Sequence, residues 1–228
     1  MNKAKVSTIL KCENLLGESC FWDPRYNCLV WTDIEGKKAW MLDDNNQSFT
    51  FNLPDRAGFI LPRKREGFII GFPNFIAISD KNFSSFEKIC EVEITNNQTR
   101  INDAKVDPYG GIVFGTYNED PDKAKRKPIA NLYRLAPNLS LTHLLSNITV
   151  SNGIAFSENE NIMYFADTPT GRIQKFEYTK NFNKFYELEA NMIFQNVGEP
   201  DGATVDIDNN YWSARVRGKC IILSLIHI

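Results

Sequence analysis

Short apolar runs beside turn-forming residues dominate the chain. In each run, hydrophobic side chains follow one another or alternate with polar ones, and Gly, Pro, Asn or Asp stands next to the run. This pattern is typical of β-strands. Apolar residues nowhere recur at helical spacing over three turns between good caps, so a helix-rich or βαβ architecture is not predicted. The clearest strands are predicted at 28–33, 67–72, 111–115, 162–166 and 211–214.

The predicted strands recur in a fixed order. A polar or glycine-bearing start leads into an apolar strand, then a turn of Asp, Asn, Pro or Gly, then an aromatic-rich strand. Such starts lie near residues 17, 58, 102, 152 and 201, so that successive starts are 41, 44, 50 and 49 residues apart. One four-stranded blade of a β-propeller occupies about 40 to 50 residues. The sequence therefore predicts an all-β propeller.

Polar side chains stand at four of these starts. They are Glu18, Arg100 with Asn102, Asn152, and Asp201. Because the inner strands of all blades begin at the same end of the central channel, we expect these side chains to meet there. Polar groups at the mouth of an apolar channel are costly unless they bind something. Taken singly, each is explained as well by turn formation, since Asn-Gly and Asp-Gly are strong turn dipeptides. Their convergence favours a binding site.

Two carboxylates and one carboxamide are a ligand set for a hard divalent cation. Glu18, Asn152 and Asp201 would suit Ca²⁺, Mg²⁺, Mn²⁺ or an oxygen-bound Zn²⁺, and would suit copper or iron less well. One divalent cation balances two negative charges, and three ligands leave positions open for water or substrate. The residues do not choose among these four ions.

Composition excludes several other functions. The 26 Lys and Arg against 28 Asp and Glu form no concentrated basic face, so nucleic acid is not an expected partner. No apolar run approaches the roughly 18 residues that cross a bilayer, and no signal peptide is recognised. Five cysteines without a CxxC pair and two histidines suggest neither a zinc ribbon nor a nucleophilic triad. We expect a soluble, monomeric protein of the cytoplasm, and also of the nucleus.

Four motifs stand at the repeat starts in a fixed order. They are Leu16-Gly17-Glu18 with Trp22-Asp23-Pro24, Arg100-Ile101-Asn102-Asp103 with Asp107-Pro108, Ser151-Asn152-Gly153-Ile154-Ala155-Phe156-Ser157, and Pro200-Asp201-Gly202 with Trp212. Each motif alone is weak, but together, in this order and spacing, they resemble the SMP-30/gluconolactonase/LRE family. The resemblance extends from about residue 10 to 222.

This resemblance implies a six-bladed propeller that carries one divalent metal ion at the channel mouth. It also implies hydrolysis of sugar lactones, namely aldonolactones such as glucono- or gulonolactone. By motif position, Glu18, Asn152 and Asp201 match the metal ligands. The aspartate that matches Asp201 is also the family's usual candidate for general base. A bound metal ion would polarise the lactone carbonyl and lower the pKa of a bound water, and a neighbouring carboxylate would accept the proton.

The resemblance also implies residues that bind the substrate. Arg100 and Asn102 match residues that contact sugar hydroxyl groups, which they would orient through fixed hydrogen-bond donors. Asp120, which follows Gly115-Thr116, is a further candidate contact at the rim.

Two other functions stay open beside the lactonase. The same ligands would bind Ca²⁺ without turnover in a calcium-binding regulatory protein. A propeller scaffold for protein partners, as in WD or NHL repeats, ranks last, because it gives no reason for carboxylates at the channel mouth.

The chain departs from the family pattern near its end. Five starts account for about four full blades plus part of a fifth, whereas family members continue through a sixth. We therefore expect an incomplete propeller domain over 10–222 and a non-native or disordered tail over 223–228. An unclosed ring would leave blades one and five uncovered, with reduced stability and activity.

Overall fold

The structure, a computed structural model, describes residues 7–157, 161–180, 185–193 and 197–224, with the backbone alone for 189–193 and 224. These residues form nineteen strands in five antiparallel sheets, with 3-10 turns at Lys123–Lys125 and Thr168–Thr170. No helix within these ranges is long and apolar enough to cross a membrane.

Each sheet is built from strands that are consecutive along the chain, and we number the blades accordingly. Blade 1 contains β1 (Gly17–Asp23), β2 (Cys28–Asp33), β3 (Lys38–Asp43) and β4 (Ser48–Asn52). Blade 2 contains β5 (Phe59–Pro62), β6 (Phe68–Phe72), β7 (Phe75–Ser79) and β8 (Phe86–Glu91). Blade 3 contains β9 (Thr99–Val106), β10 (Ile112–Asn118), β11 (Ala130–Leu135) and β12 (Leu141–Ile148). Blade 4 contains β13 (Ser151–Ser157), β14 (Ile162–Asp167), β15 (Arg172–Glu177) and β16 (Glu187–Ile193). Blade 5 contains β17 (Glu199–Val205), β18 (Tyr211–Val216) and β19 (Cys220–Ser224).

The first strands of the blades, β1, β5, β9, β13 and β17, contact one another in sequence order and surround the channel. This arrangement confirms the predicted all-β propeller and its repeat. The described residues form five blades, four of four strands and one of three, and a sixth blade is not among them. Of the predicted tail, residues 223 and 224 belong to β19, and residues 225–228 lie outside the described residues.

The apolar core lies between neighbouring blades. Phe68 of blade 2 packs with the inward side chains of blade 1, and Phe59 of blade 2 packs on Phe114 of blade 3. Between blades 4 and 5, the rings of Tyr164 and Tyr211 lie 4.8 Å apart. Burying a large apolar side chain contributes about 1.5 to 3 kcal/mol, so these contacts hold the blades around the channel.

Aspartates close the first hairpin of three blades. Asp107 Oδ1 accepts hydrogen bonds from the backbone N–H groups of Tyr109 and Gly111, each at 2.8 Å. Asp23 and Asp206 make the equivalent contacts two residues further on. Asp favours turns because its side chain can bond to the backbone just ahead of it. These residues therefore fix where the inner strands of blades 1, 3 and 5 end.

Candidate functional site

The inner strands are interrupted where the candidate residues lie. Pairing with the second strand shifts register between Glu18 and Phe21 in β1, between Asn152 and Ala155 in β13, and between Pro200 and Ala203 in β17. A fourth shift lies in the pairing of β9 with β10, opposite residues 101–104. Such β-bulges turn side chains out of the regular alternation and are common beside active sites. The pairing of β5 with β6 is regular, and β5 holds none of the predicted residues.

Three carboxylates from three blades line one cavity of about 1010 Å³. They are Glu18, Asp103 and Asp201. The pKa of Glu18 is raised to about 8, chiefly by its removal from water and then by the nearby charges of Asp201 and Asp103, while Arg100 opposes the shift. The predicted residues Glu18 and Asp201 therefore lie close together, although they are far apart in sequence.

The other two carboxyl groups are also shifted toward the neutral form. Burial raises the pKa of Asp201, against the backbone N–H of Gly202. The pKa of Asp103 is raised to about 6, chiefly by burial and also by the charge of Asp201, while the Ile154 N–H and Lys105 oppose the shift. Crowded acidic groups that are partly removed from water favour either protons or a cation at this position.

Sequence reasoning assigned no role to Asp103. In a regular strand, Asp103 and its neighbour Asn102 would point to opposite faces of the sheet. The bulge in β9 breaks this alternation, so that Asp103 lines the cavity while Asn102 still reaches Asn152 of the next blade. Adjacent polar residues at a strand start are a signal for such a bulge, but a weak one.

Asn102, Asn152 and Arg100 are joined by hydrogen bonds. Arg100 Nη1 donates to Asn102 Oδ1 at 2.8 Å, and Asn102 Nδ2 donates to Asn152 Oδ1 at 3.2 Å. Asn152 Nδ2 donates to Thr168 Oγ1 at 2.8 Å. The structure thus brings the two predicted substrate residues and the predicted amide ligand into one network.

Arg100 is buried and held from two sides. Its Nε lies 3.3 Å from Glu119 Oε1, and its guanidinium group lies over the ring of Tyr117, 4.7 Å from the centroid. Glu119 also receives a bidentate pair from Arg56, at 2.6 and 2.9 Å. Sequence reasoning missed both Glu119 and Arg56, since 63 residues separate them and neither lies in a recognised motif.

Asp120 lies apart from these groups. Its Oδ1 accepts from the backbone N–H of Asp122 at 3.0 Å, and its backbone carbonyl accepts from Arg126 Nε at 2.8 Å. Like Arg100, Asn102 and Asn152, it is not among the residues that line the cavity of the three carboxylates. Its neighbour Glu119 is the carboxylate that faces Arg100.

The donor set fits a hard divalent cation. Glu18 and Asp201 offer carboxylate oxygens, and the Oδ1 of Asn152 is an acceptor directed by its neighbours. Within the described ranges, no group of three or more His, Cys, Asp and Glu side chains has the geometry of a metal site. The predicted set differs from such a group, because its third member is an amide. Its role in metal binding stays a prediction.

The cavity continues outward between blade 1 and blade 5. Trp22 and Leu29 line it from blade 1, and Trp212 and Ile221 line it from blade 5. Trp22 is 51% exposed and Ile221 is 68% exposed, so this wall of the cavity is open to solvent and apolar.

The fold and this site define a β-propeller with a carboxylate-lined pocket at the mouth of its channel. A sequence profile of the family described as "SMP-30/Gluconolactonase/LRE-like region" matches residues 16–224, and the chain belongs to this family. The match confirms the family predicted from the four motifs.

Relatives from distant organisms match most of the chain. L-arabinolactonase from Azospirillum brasilense is 30% identical over 212 residues, which cover 92% of this chain and 70% of that protein. Regucalcin from Danio rerio is 29% identical over 231 residues, which cover 97% of this chain and 75% of that protein.

Solved structures show the same fold. Luciferin-regenerating enzyme superposes with a TM-score of 0.85 at 26% identity, over 92% of this chain and 72% of that one. Regucalcin from Agrobacterium tumefaciens, described as a calcium-binding protein, superposes with a TM-score of 0.79 at 22% identity, over 91% of this chain and 70% of that one. At that identity the second likeness concerns the fold alone.

Proposed function

We propose that the chain is a divalent-metal-dependent hydrolase that opens sugar lactones of the aldonolactone class. One observation carries the proposal: Glu18 of the first blade and Asp201 of the fifth are brought together, partly buried, in one cavity at the channel mouth. Relatives named L-arabinolactonase and 6-deoxy-6-sulfogluconolactonase, at 30% and 29% identity, support this substrate class.

The residues of the site divide the chemistry among them. Glu18, Asn152 and Asp201 would hold the ion, which when bound polarises the lactone carbonyl and makes water more acidic. Asp201 would accept the proton of the attacking water, because a carboxylate beside the ion can act as a general base. Arg100 and Asn102 would donate hydrogen bonds to the ring hydroxyl groups and orient the lactone.

The geometry of Arg100 agrees with a role in binding. Its Nη1 is used by the carbonyl of Ile101 and by Asn102, and its Nε faces Glu119. Within the described residues, Nη2 has no such partner, so this N–H group is available to a hydroxyl oxygen. Asp120 would contact substrate only after a change in the turn that now holds it.

A second function keeps the same ligands and omits the turnover. The relative named regucalcin, at 29% identity, favours this second function, a calcium-binding regulatory protein. The six-blade ring also stays a proposal, supported by the open cavity between blades 1 and 5. Monomeric state and a cytoplasmic or nuclear location stay predictions.

Hydrolysis of gluconolactone and arabinolactone by the purified chain, with and without added Ca²⁺ or Zn²⁺, tests the proposal. Asp201→Ala should lose turnover and bind metal ions less tightly. Arg100→Ala should lose turnover and still bind the metal ion. The control Arg217→Ala removes an arginine that is 60% exposed, and it should behave as the parent chain. Full turnover in Asp201→Ala, or turnover unaffected by a chelator, would contradict the proposal of a metal-dependent hydrolase. Metal binding without turnover in the parent would favour the regulatory function.

A further inference from the structure

A directed series of hydrogen bonds links blades 3, 4 and 5 around the channel mouth. Arg100 donates to Asn102, Asn102 donates to Asn152, and Asn152 donates to the hydroxyl of Thr168. Thr168 Oγ1 in turn donates to the backbone carbonyl of Pro200 at 2.9 Å. Pro200 directly precedes Asp201, so the series connects the two predicted ligands on blades 4 and 5.

The two ends of the series fix the orientation of every amide in it. Arginine can only donate, so Asn102 must turn its oxygen toward Arg100 and its NH₂ group toward Asn152. A backbone carbonyl can only accept, so Thr168 must donate to Pro200 and accept from Asn152. Both constraints place Oδ1 of Asn152 away from Thr168, where it accepts from Asn102 and keeps its second lone pair for a ligand.

Thr168 is placed to hold this orientation. It opens the 3-10 turn Thr168–Thr170 directly after β14, and its backbone N–H donates to the Val150 carbonyl at 3.0 Å. Thr168 is 8% exposed and Asn152 is 7% exposed, so water has little access to replace a lost hydrogen bond. Donating its NH₂ group also makes the oxygen of an amide more negative and a better ligand.

We infer that Thr168 is a positioning residue of the metal site, which holds the carboxamide of Asn152 with its oxygen toward the cation. The inference rests on the proposed function, since it gives Asn152 the role of a ligand. Partners that orient metal ligands typically change metal affinity by about 10- to 100-fold when they are removed.

The test compares the metal affinity of each variant with that of the parent chain by calorimetric titration with Ca²⁺, Zn²⁺ and Mn²⁺ separately, without substrate. Thr168→Val removes the hydroxyl at nearly constant shape and should weaken binding about tenfold. Thr168→Ser keeps the hydroxyl and should stay within about twofold of the parent. Thr170→Val is the matched control, because it removes a hydroxyl from the same turn that bonds only to the backbone. Thr168→Ala replaces Thr168→Val if thermal unfolding shows that the valine variant does not fold.

A change at Asn152 itself separates an effect on the orientation of the amide from an effect on the stability of the fold. Asn152→Asp offers an oxygen on both branches, so in this background Thr168→Val should leave metal affinity nearly unchanged. Equal losses in both backgrounds would assign Thr168 a purely structural role and overturn the inference. Unchanged affinity in Thr168→Val would overturn it as well. If the parent chain binds none of the ions, the proposed function fails and the inference with it, whereas binding that ignores Thr168 refutes the inference alone.

Discussion

Glu18 should make the metal-free chain less stable as pH rises. Its pKa is raised from 4.5 to about 8 in the folded chain by burial and by two neighbouring carboxylates. Below 4.5 the carboxyl group is protonated in both the folded and the unfolded chain. Between 4.5 and about 8 the folded chain keeps a proton that the unfolded chain releases, so the free energy of unfolding falls. Above pH 8 the loss is complete.

The size of the effect follows from the shift. At about 1.4 kcal/mol per pKa unit, the change from 4.5 to about 8 corresponds to at most about 5 kcal/mol. Because Glu18 is only partly shielded from solvent, we expect about 2 to 4 kcal/mol between pH 5 and about pH 9. Asp103 and Asp201, whose pKa values are also raised, add to the fall with the same sign.

Urea unfolding in the presence of a chelator, followed by tryptophan fluorescence at pH 5, 7 and 9, measures this loss. Glu18→Gln carries no charge at any pH, so it should reduce the slope of stability against pH and be more stable than the parent at pH 9. Glu87→Gln, at an exposed position of β8, should leave the slope unchanged. Saturating Ca²⁺ or Zn²⁺ should restore the stability of the parent at pH 9, since the cation replaces the proton. A parent stability that rises from pH 5 to 9, or a Glu18→Gln slope equal to that of the parent, would refute the reasoning.

Two further substitutions test a side chain that holds Arg100 and a contact between blades 3 and 4. Glu119→Gln weakens the ion pair that holds Arg100, so KM for the lactone should rise about five- to tenfold with metal affinity unchanged. Glu35 lies 3.6 Å from Arg56 and is 46% exposed, so the control Glu35→Gln should change neither KM nor metal affinity. An unchanged KM in Glu119→Gln would exclude the positioning role. Tyr178→Phe removes the 2.7 Å hydrogen bond to Asp107 between blades, so the free energy of unfolding measured in urea should fall by about 1 to 2 kcal/mol, with metal affinity unchanged. Tyr186 is exposed, so Tyr186→Phe is the control, and an equal loss in both variants would contradict a stabilising role of the Tyr178 hydrogen bond.

The fold was predictable because each blade repeats the same local pattern. Strands are short, apolar and followed by aspartates that close the hairpins, and the predicted repeat starts fall within a few residues of the strands that line the channel. The number of blades that would close the ring is not a local property. It depends on the distance between the first and fifth blades across the cavity, and the pattern of single strands carries no information on that distance.

The site was predictable as far as it depends on strand starts. Glu18, Asn152 and Asp201 stand at those starts, and the structure brings the first and last of them into one cavity. Asp103 was missed because a bulge changes the face on which it lies. Glu119 was missed because it reaches Arg100 from the far end of β10, through a pairing that only the folded sheet creates.

The placement of the two proposed ligands would give a bound cation a structural role. Glu18 and Asp201 belong to the first and fifth blades, whose outer parts are separated by the open cavity. A cation bound between them would therefore connect two blades whose first strands, β1 and β17, are the two ends of the series of neighbouring inner strands. An ion at 100 times its dissociation constant stabilises the folded chain by about 2.7 kcal/mol. This increase in the free energy of unfolding is similar to the decrease that Glu18 causes at high pH. A bound cation would therefore offset the electrostatic cost of gathering acidic groups at the channel mouth.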